Sequence, residues 1–196
     1  VHGQAAPQND TDDSPLTAGG RYEQLVRADQ PVAWWRFEDS RGAADTSEGP
    51  LLPIKTNGNI KFDAPGPAAP LFPLFSQSNR AVTLTPPAYL AYADLGAGSL
   101  FDFGPGDSLT IEAWVRPESV AEGRQVYLIG KGRTGNPGVP KDNQNWALRL
   151  VGQQGRCHLS FLFRDQDNRQ QDDWHRWNSE ASLSAGQWHH VAVVYT

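Results

Sequence analysis

"SLTIEAWVRP", running from Ser108 to Pro117, decides the fold. Leu109, Ile111, Ala113 and Val115 alternate with Thr110, Glu112, Trp114 and Arg116. Successive side chains of a strand point to opposite faces, so the first set forms an apolar row and the second a mixed one. Gly104-Pro105-Gly106-Asp107, just upstream, has the chemistry of a turn. The stretch therefore reads as a strand with one face on a core. Its other face sets an indole between a carboxylate and a guanidinium, a combination that suits sugar rings and hydroxyls.

The same in–out rhythm recurs downstream in "RQVYLIGKG" from Arg124, "NWALRLV" from Asn145, "RCHLSFLFRD" from Arg156 and "QWHHVAVVYT" from Gln187. Upstream, "RYEQLVRAD" from Arg21 has helical spacing and is stopped by Pro31, which predicts one short helical turn. "PVAWWRFED", Pro31 to Asp39, predicts a strand. Residues 40–73 are rich in Gly, Pro, Asp and Asn; they read as loop with one hairpin signal, Asn57-Gly58. "NRAVTLT" and "AYLAYADL" are short alternating runs split by Pro86-Pro87. No amphipathic helix is seen after residue 30, and no repeat recurs at a fixed period. Many short strands parted by turns predict an all-β chain, an antiparallel β-sandwich. Leu109, Ile111, Ala113, Val115, Val126, Leu128, Trp146, Leu148, Leu150, Leu159, Phe161, Phe163, Val191 and Val193 are the expected core.

Composition supports a folded body. Of 196 residues 38% are hydrophobic and 20% charged, and seven Trp and eight Phe bring large apolar area. Net charge is −5 with the basic residues scattered, which argues against a nucleic-acid partner; no apolar run is long enough to span a bilayer. The single cysteine, Cys157, sits in an apolar alternation and reads as a small buried hydrophobe. With no methionine, the chain reads as a processed product or an excised piece. Its opening, "VHGQAAPQNDTDDSP", fits the region at and after a signal-peptide cleavage site, and equally an interdomain linker. On either reading residues 1–20 form a tail, and one domain fills 21–196.

The succession "PVAWWRFED … NRAVTLT … DSLTIEAWVRP … YLIGKG … WALRL … GRCHLSFLFRD … LSAGQWHHVAVVYT" resembles a laminin G-like, concanavalin A-like jelly roll of the bacterial branch. "SLTIEAWVRP" and "GQWHHVAVVYT" are its most specific pieces. The resemblance runs from Arg21 to Thr196, apart from the Pro-rich stretch 49–75. In the family, further strands follow the run that here reads "WHHVAVVY", so the chain is expected to be the front portion of a jelly roll. The resemblance implies a non-catalytic recognition domain of an exported bacterial protein. It would bind a glycan or a protein surface, or pack against other domains of a longer parent. The competing expectations are a glycoside hydrolase-like enzyme using Glu112 and a purely structural module.

Two groups of residues are candidates for a site. Glu112, Trp114 and Arg116 share one strand face, and Trp174 and Trp177 lie three apart in a polar stretch. For each indole, packing inside the protein is the plainer alternative. Asp165, Asp167, Asp172 and Asp173 offer oxygen ligands to calcium. Arg169 stands where a calcium loop wants another oxygen, so the simpler expectation is an exposed acidic hairpin tip. His189 and His190 face opposite ways on a strand and cannot chelate one metal together. Carboxylates paired at catalytic spacing, a Gly-x-Ser-x-Gly elbow and a phosphate-binding glycine loop are not found in the sequence.

Overall fold

The computed structural model describes residues 20–38, 54–92, 99, 101–104, 106–132, 145–164 and 174–196. The chain divides into two units, Val1–Asp94 and Leu95–Thr196. The sequence predicted a single body from residue 21. Among the described residues, the strands before residue 94 pair with each other.

In the first unit, α1 spans Arg21–Ala28, with Glu23 in its first turn and Arg27 in its last, as its dipole favours. The Tyr22 N–H donates to the Leu74 carbonyl at 3.2 Å, and its ring lies 4.4 Å from buried Phe75. The segment from Pro31 to Glu38, predicted as a strand, is not one. Gln30 and Phe37 adopt φ of 49° and 57°, which interrupt an extended backbone. The segment turns back on α1 instead. Arg36 donates to both oxygens of Glu23, at 3.0 and 2.9 Å, and Arg27 and Arg36 both lie over the Trp34 ring.

Strand β1 (Ile54–Pro65) and β2 (Arg80–Tyr92) form one long antiparallel pair. This overturns two expectations. The Asn57-Gly58 signal lies inside β1 and is not a hairpin tip; between the pairs Asn57–Tyr89 and Asn59–Thr85, Gly58 stands against three residues of β2, Pro86 to Ala88, so β2 bulges there. Gly58 has φ +80, and a Cβ there would come within 2.9 Å of the Ala88 Cα, so the site requires glycine. Likewise β2 runs through Pro86-Pro87 without breaking. The two prolines are themselves part of that bulge, where the pairing register shifts and a strand tolerates proline.

The second unit is a β-sandwich. Strand β3 (Leu109–Val115) pairs antiparallel with β8 (His189–Tyr195). Strands β4 (Gln125–Lys131), β5 (Trp146–Gln153), β6 (Arg156–Arg164) and β7 (Trp174–Leu183) follow one another as an antiparallel four-stranded sheet. Ile111, Val115 and Val191 from the first sheet meet Trp146, Leu148 and Phe161 from the second in one buried cluster. Leu109, Ala113, Leu128, Leu159, Phe163 and Val193 pack around it. Each larger side chain there contributes roughly 1.5–3 kcal/mol by burial. The Trp146 indole N–H donates to the Phe101 carbonyl at 3.0 Å, so its polar atom costs nothing inside the core.

Three features differ from expectation. Val126, predicted inside, is 37% exposed because β4 is an edge strand. Strand β7 was not read as a strand at all: "WHRWNSEASL" shows no apolar alternation, yet it pairs along β6. And β5 is buried on both faces from Trp146 to Leu150. The β5–β6 turn is a two-residue hairpin, with Gln154 at φ 53° and Gly155 at φ 69°, a geometry that suits the twist of the flanking strands. Glu122 holds it. Its carboxylate accepts the Gln154 and Gly155 N–H groups at 3.1 and 3.0 Å, which brings its pKa below the ordinary 4.5.

Candidate functional site

The antiparallel register of β3 with β8 builds the first candidate surface. Trp114 stands opposite His190, Glu112 opposite Ala192 and Thr110 opposite Val194. These six side chains occupy the face turned away from the core. Thr110, Glu112, His190, Ala192 and Val194 are exposed, and Trp114 is half-buried. The His190 Nε2 lies 3.2 Å from Glu112 Oε2, on the diagonal between the two strands, and the Trp114 and His190 ring centres are 5.3 Å apart. The patch therefore offers a carboxylate, an imidazole and an indole within one diagonal step of the ladder. Arg116 lies just beyond the end of β3. Its guanidinium sits over the Trp188 ring at 5.4 Å, a cation–π contact at the rim of the patch.

The two later tryptophans go elsewhere. Trp174 pairs with Arg164, whose guanidinium lies 5.8 Å from its ring, on the outer face of the four-stranded sheet. Trp177 pairs with core residue Phe161 and so points to the inner face. There its ring stacks at 6.3 Å on Phe161 and lies 5.7 Å from Phe163, yet it remains 51% exposed on edge strand β7. An odd spacing of three on a strand requires opposite faces, so the pair would have been separable in the sequence had β7 been recognised. The five candidates thus divide over three places: Glu112 and Trp114 with Arg116 at their rim, Trp174 on the outer face of the other sheet, and Trp177 on its inner face at the exposed β7 edge. Asp165, Asp167, Asp172 and Asp173 lie outside the described residues. Among the described residues no group of three or more His, Cys, Asp or Glu side chains has metal-site geometry.

A buried polar row was not anticipated. On the outer face of the four-stranded sheet, Tyr127, Arg149, Ser160 and Asn178 form one row across all four strands. Arg149 is only 3% exposed. Its Nη1 donates to Gln125 Oε1 at 2.5 Å and its Nη2 to Ser160 Oγ at 3.1 Å, while its guanidinium lies 5.8 Å from the Tyr127 ring. Its Nε is buried without a hydrogen bond among the described residues. Burial first, and the charge of nearby Arg176 second, push its pKa below the usual arginine value. The sequence signal was present but easily passed over: Arg149 alternates with Leu148 and Leu150, which marks it as outward-facing and says nothing of how deeply it lies.

Cys157 is buried, as expected, and burial pushes its thiol pKa above the ordinary 9.0. No helix among the described residues is long and apolar enough to cross a membrane.

The family model described as the concanavalin A-like lectin/glucanases superfamily, of laminin G type, matches residues 89–196. That is the sandwich unit together with the end of β2, and more than half of the 196 residues. The likeness read from the sequence began further upstream, at Arg21; the family match does not extend to the β1 strand or to α1. No curated protein and no solved structure gives a significant match. A sandwich with six strands among the described residues and a shared apolar core, matched over its length by this model, settles the family: the chain belongs to the laminin G-like branch of the concanavalin A-like lectin/glucanase superfamily.

Proposed function

We propose that the chain is a non-catalytic recognition module of an exported protein, holding a glycan or a protein surface against the outer face of β3 and β8. The observation that carries this reading is the Glu112–His190 pair, at 3.2 Å, beside Trp114 on a solvent-facing sheet. A carboxylate that accepts and an imidazole that donates can share a pair of hydroxyls, and an adjacent ring offers a flat apolar edge. The superfamily includes lectins, which supports the reading.

The superfamily also includes glucanases, and Glu112 is the residue an enzyme would use on this face. Glycoside cleavage needs two carboxyl groups roughly 5–10 Å apart. Glu112 is the one carboxylate among Thr110, Glu112, Trp114, His190, Ala192 and Val194, which favours binding over cleavage. A glycan array probed with the protein tests both readings. Recognition predicts captured glycans whose binding falls about tenfold in Glu112→Ala and in His190→Ala, the worth of one charge-assisted hydrogen bond. Release of reducing sugar from a polysaccharide that stops in Glu112→Gln would replace the module with an enzyme. An array and a protein-capture screen that both stay blank would contradict recognition altogether.

A further inference from the structure

The pairing of β3 with β8 brings together two metal-ligating groups that are far apart in the sequence. Glu112 Oε2 and His190 Nε2 lie 3.2 Å apart, and both side chains are exposed on the outer face. Zinc bonds to nitrogen and oxygen at roughly 2.0–2.2 Å, which sets neighbouring ligand atoms of a tetrahedral site about 3.4 Å apart. The two atoms therefore stand close to the separation that a zinc ion imposes. The Trp114 ring, 5.3 Å from the imidazole centre, limits how far the imidazole can swing away. An imidazole beside a carboxylate suits zinc, whereas calcium and magnesium take oxygen ligands throughout.

One chain supplies half of such a site. Among the described residues no third His, Cys, Asp or Glu joins the pair, and zinc takes four ligands. A second copy, related by a two-fold axis through the ion, presents the same pair and completes a set of two nitrogens and two oxygens. The face allows that approach. Thr110, Ala192 and Val194, which share it, are short and exposed. Val194 is 68% exposed, the most open large hydrophobic side chain described in the sandwich unit, so a covering surface gains by burying it. Facing sheets pack about 10 Å apart, a gap that side chains from both sides fill when they meet at a shared ion. Charge favours the same arrangement. With −5 on each chain two copies repel, and a divalent ion between two carboxylates offsets the repulsion where they meet. We propose that Glu112 and His190 from two copies hold one zinc ion, which closes the outer faces of two β3–β8 sheets on each other. A zinc-bridged pair and a bound partner then exclude one another, because both use these side chains. The bridge itself does not rest on the recognition reading, since it forms with no glycan or other protein present.

The test is sedimentation velocity of the full chain at neutral pH with zinc chloride, calcium chloride or EDTA, together with calorimetric titration by zinc chloride. The mass should double in zinc and stay that of one chain in calcium and in EDTA, and the titration should end at one zinc per two chains. His190→Ala and Glu112→Gln, checked for folding by circular dichroism, should each weaken zinc binding by at least about tenfold, the least that loss of even a supporting partner costs many metal sites, and should remain single chains in zinc. His175→Ala, which removes an exposed histidine from β7, should dimerise as the parent does. The proposal is overturned if zinc leaves the mass unchanged, if zinc binds one per chain without a dimer, if calcium dimerises the protein as well, or if His190→Ala dimerises like the parent. A chain that stays single in zinc yet captures a glycan or a protein overturns the bridge and leaves the recognition reading standing. A zinc dimer with a blank array and a blank capture screen does the reverse.

Discussion

Strands β3 and β5 share the same alternating pattern and are buried differently. In β3, Ile111 and Val115 are buried while Thr110 and Glu112 are exposed. In β5, every residue from Trp146 to Leu150 is buried, Ala147 and Arg149 included. The difference is position. Among the described residues, β3 has one neighbour in a two-stranded sheet whose outer face is open, whereas β5 sits inside a four-stranded sheet with β4 and β6 on either side. Alternation reports which face a side chain takes. It does not report whether that face meets water, which is decided by what lies beside and above the strand. A polar residue on β3 is therefore available to a partner. The same kind of residue on β5 must find its partners within the protein, as Arg149 does with Gln125 and Ser160.

The largest expected effect comes from the layer the two sheets share. Leu148 is fully buried between them, so Leu148→Ala should cost about 2–5 kcal/mol in urea unfolding, as buried leucine truncations do. A loss under 1 kcal/mol would mean the sheets do not share a packed core.

A matched pair of substitutions sharpens the contrast. Ser160 and Thr110 are both polar outer-face residues, but Ser160 is 1% exposed and hydrogen-bonded to Arg149, while Thr110 is exposed. Ser160→Val should cost roughly 1–3 kcal/mol, since it adds bulk and strips a buried donor of its acceptor. Thr110→Val should stay within about 0.5 kcal/mol. Equal costs would erase the distinction between the faces.

The smallest effect is confined to a pH window. Glu122 has a folded pKa below its unfolded one because it accepts two backbone N–H groups. Its contribution to stability is thus fully present above the unfolded value near 4.5 and is lost as pH falls through the depressed folded value. Glu122→Gln should lower the thermal midpoint at neutral pH, and its gap to the parent protein should close on acidification through that window. A gap that widens instead would show that the carboxylate does not hold the β5–β6 turn.

How much of this was legible follows the same division. The apolar rows of β3, β5, β6 and β8 stood in the sequence because each has one face on the core and alternation marks that face. Val126 escaped because its row continues onto an edge. Strand β7 escaped because its residues lie at an edge where polar side chains are tolerated on both faces, so no rhythm survives. The segment 31–38 looked like a strand, but a bidentate ion pair to Glu23 and left-handed residues at Phe37 and, just before it, Gln30 outweighed its propensity. Of the site, the Glu112 and Trp114 face was visible from parity alone. The approach of His190 depended on the register between strands distant in sequence, which no local pattern records. Arg149 was visible as a residue and invisible as a buried charge.

The claim that one sheet is open outside and the other closed can be measured directly by thiol labelling at neutral pH. With Cys157 replaced by Ser, cysteines are placed singly by Thr110→Cys, Glu112→Cys and Ser160→Cys. The account predicts prompt labelling at positions 110 and 112, and labelling at position 160 only as fast as the protein unfolds. Prompt labelling at 160, or protection at 112, would contradict it.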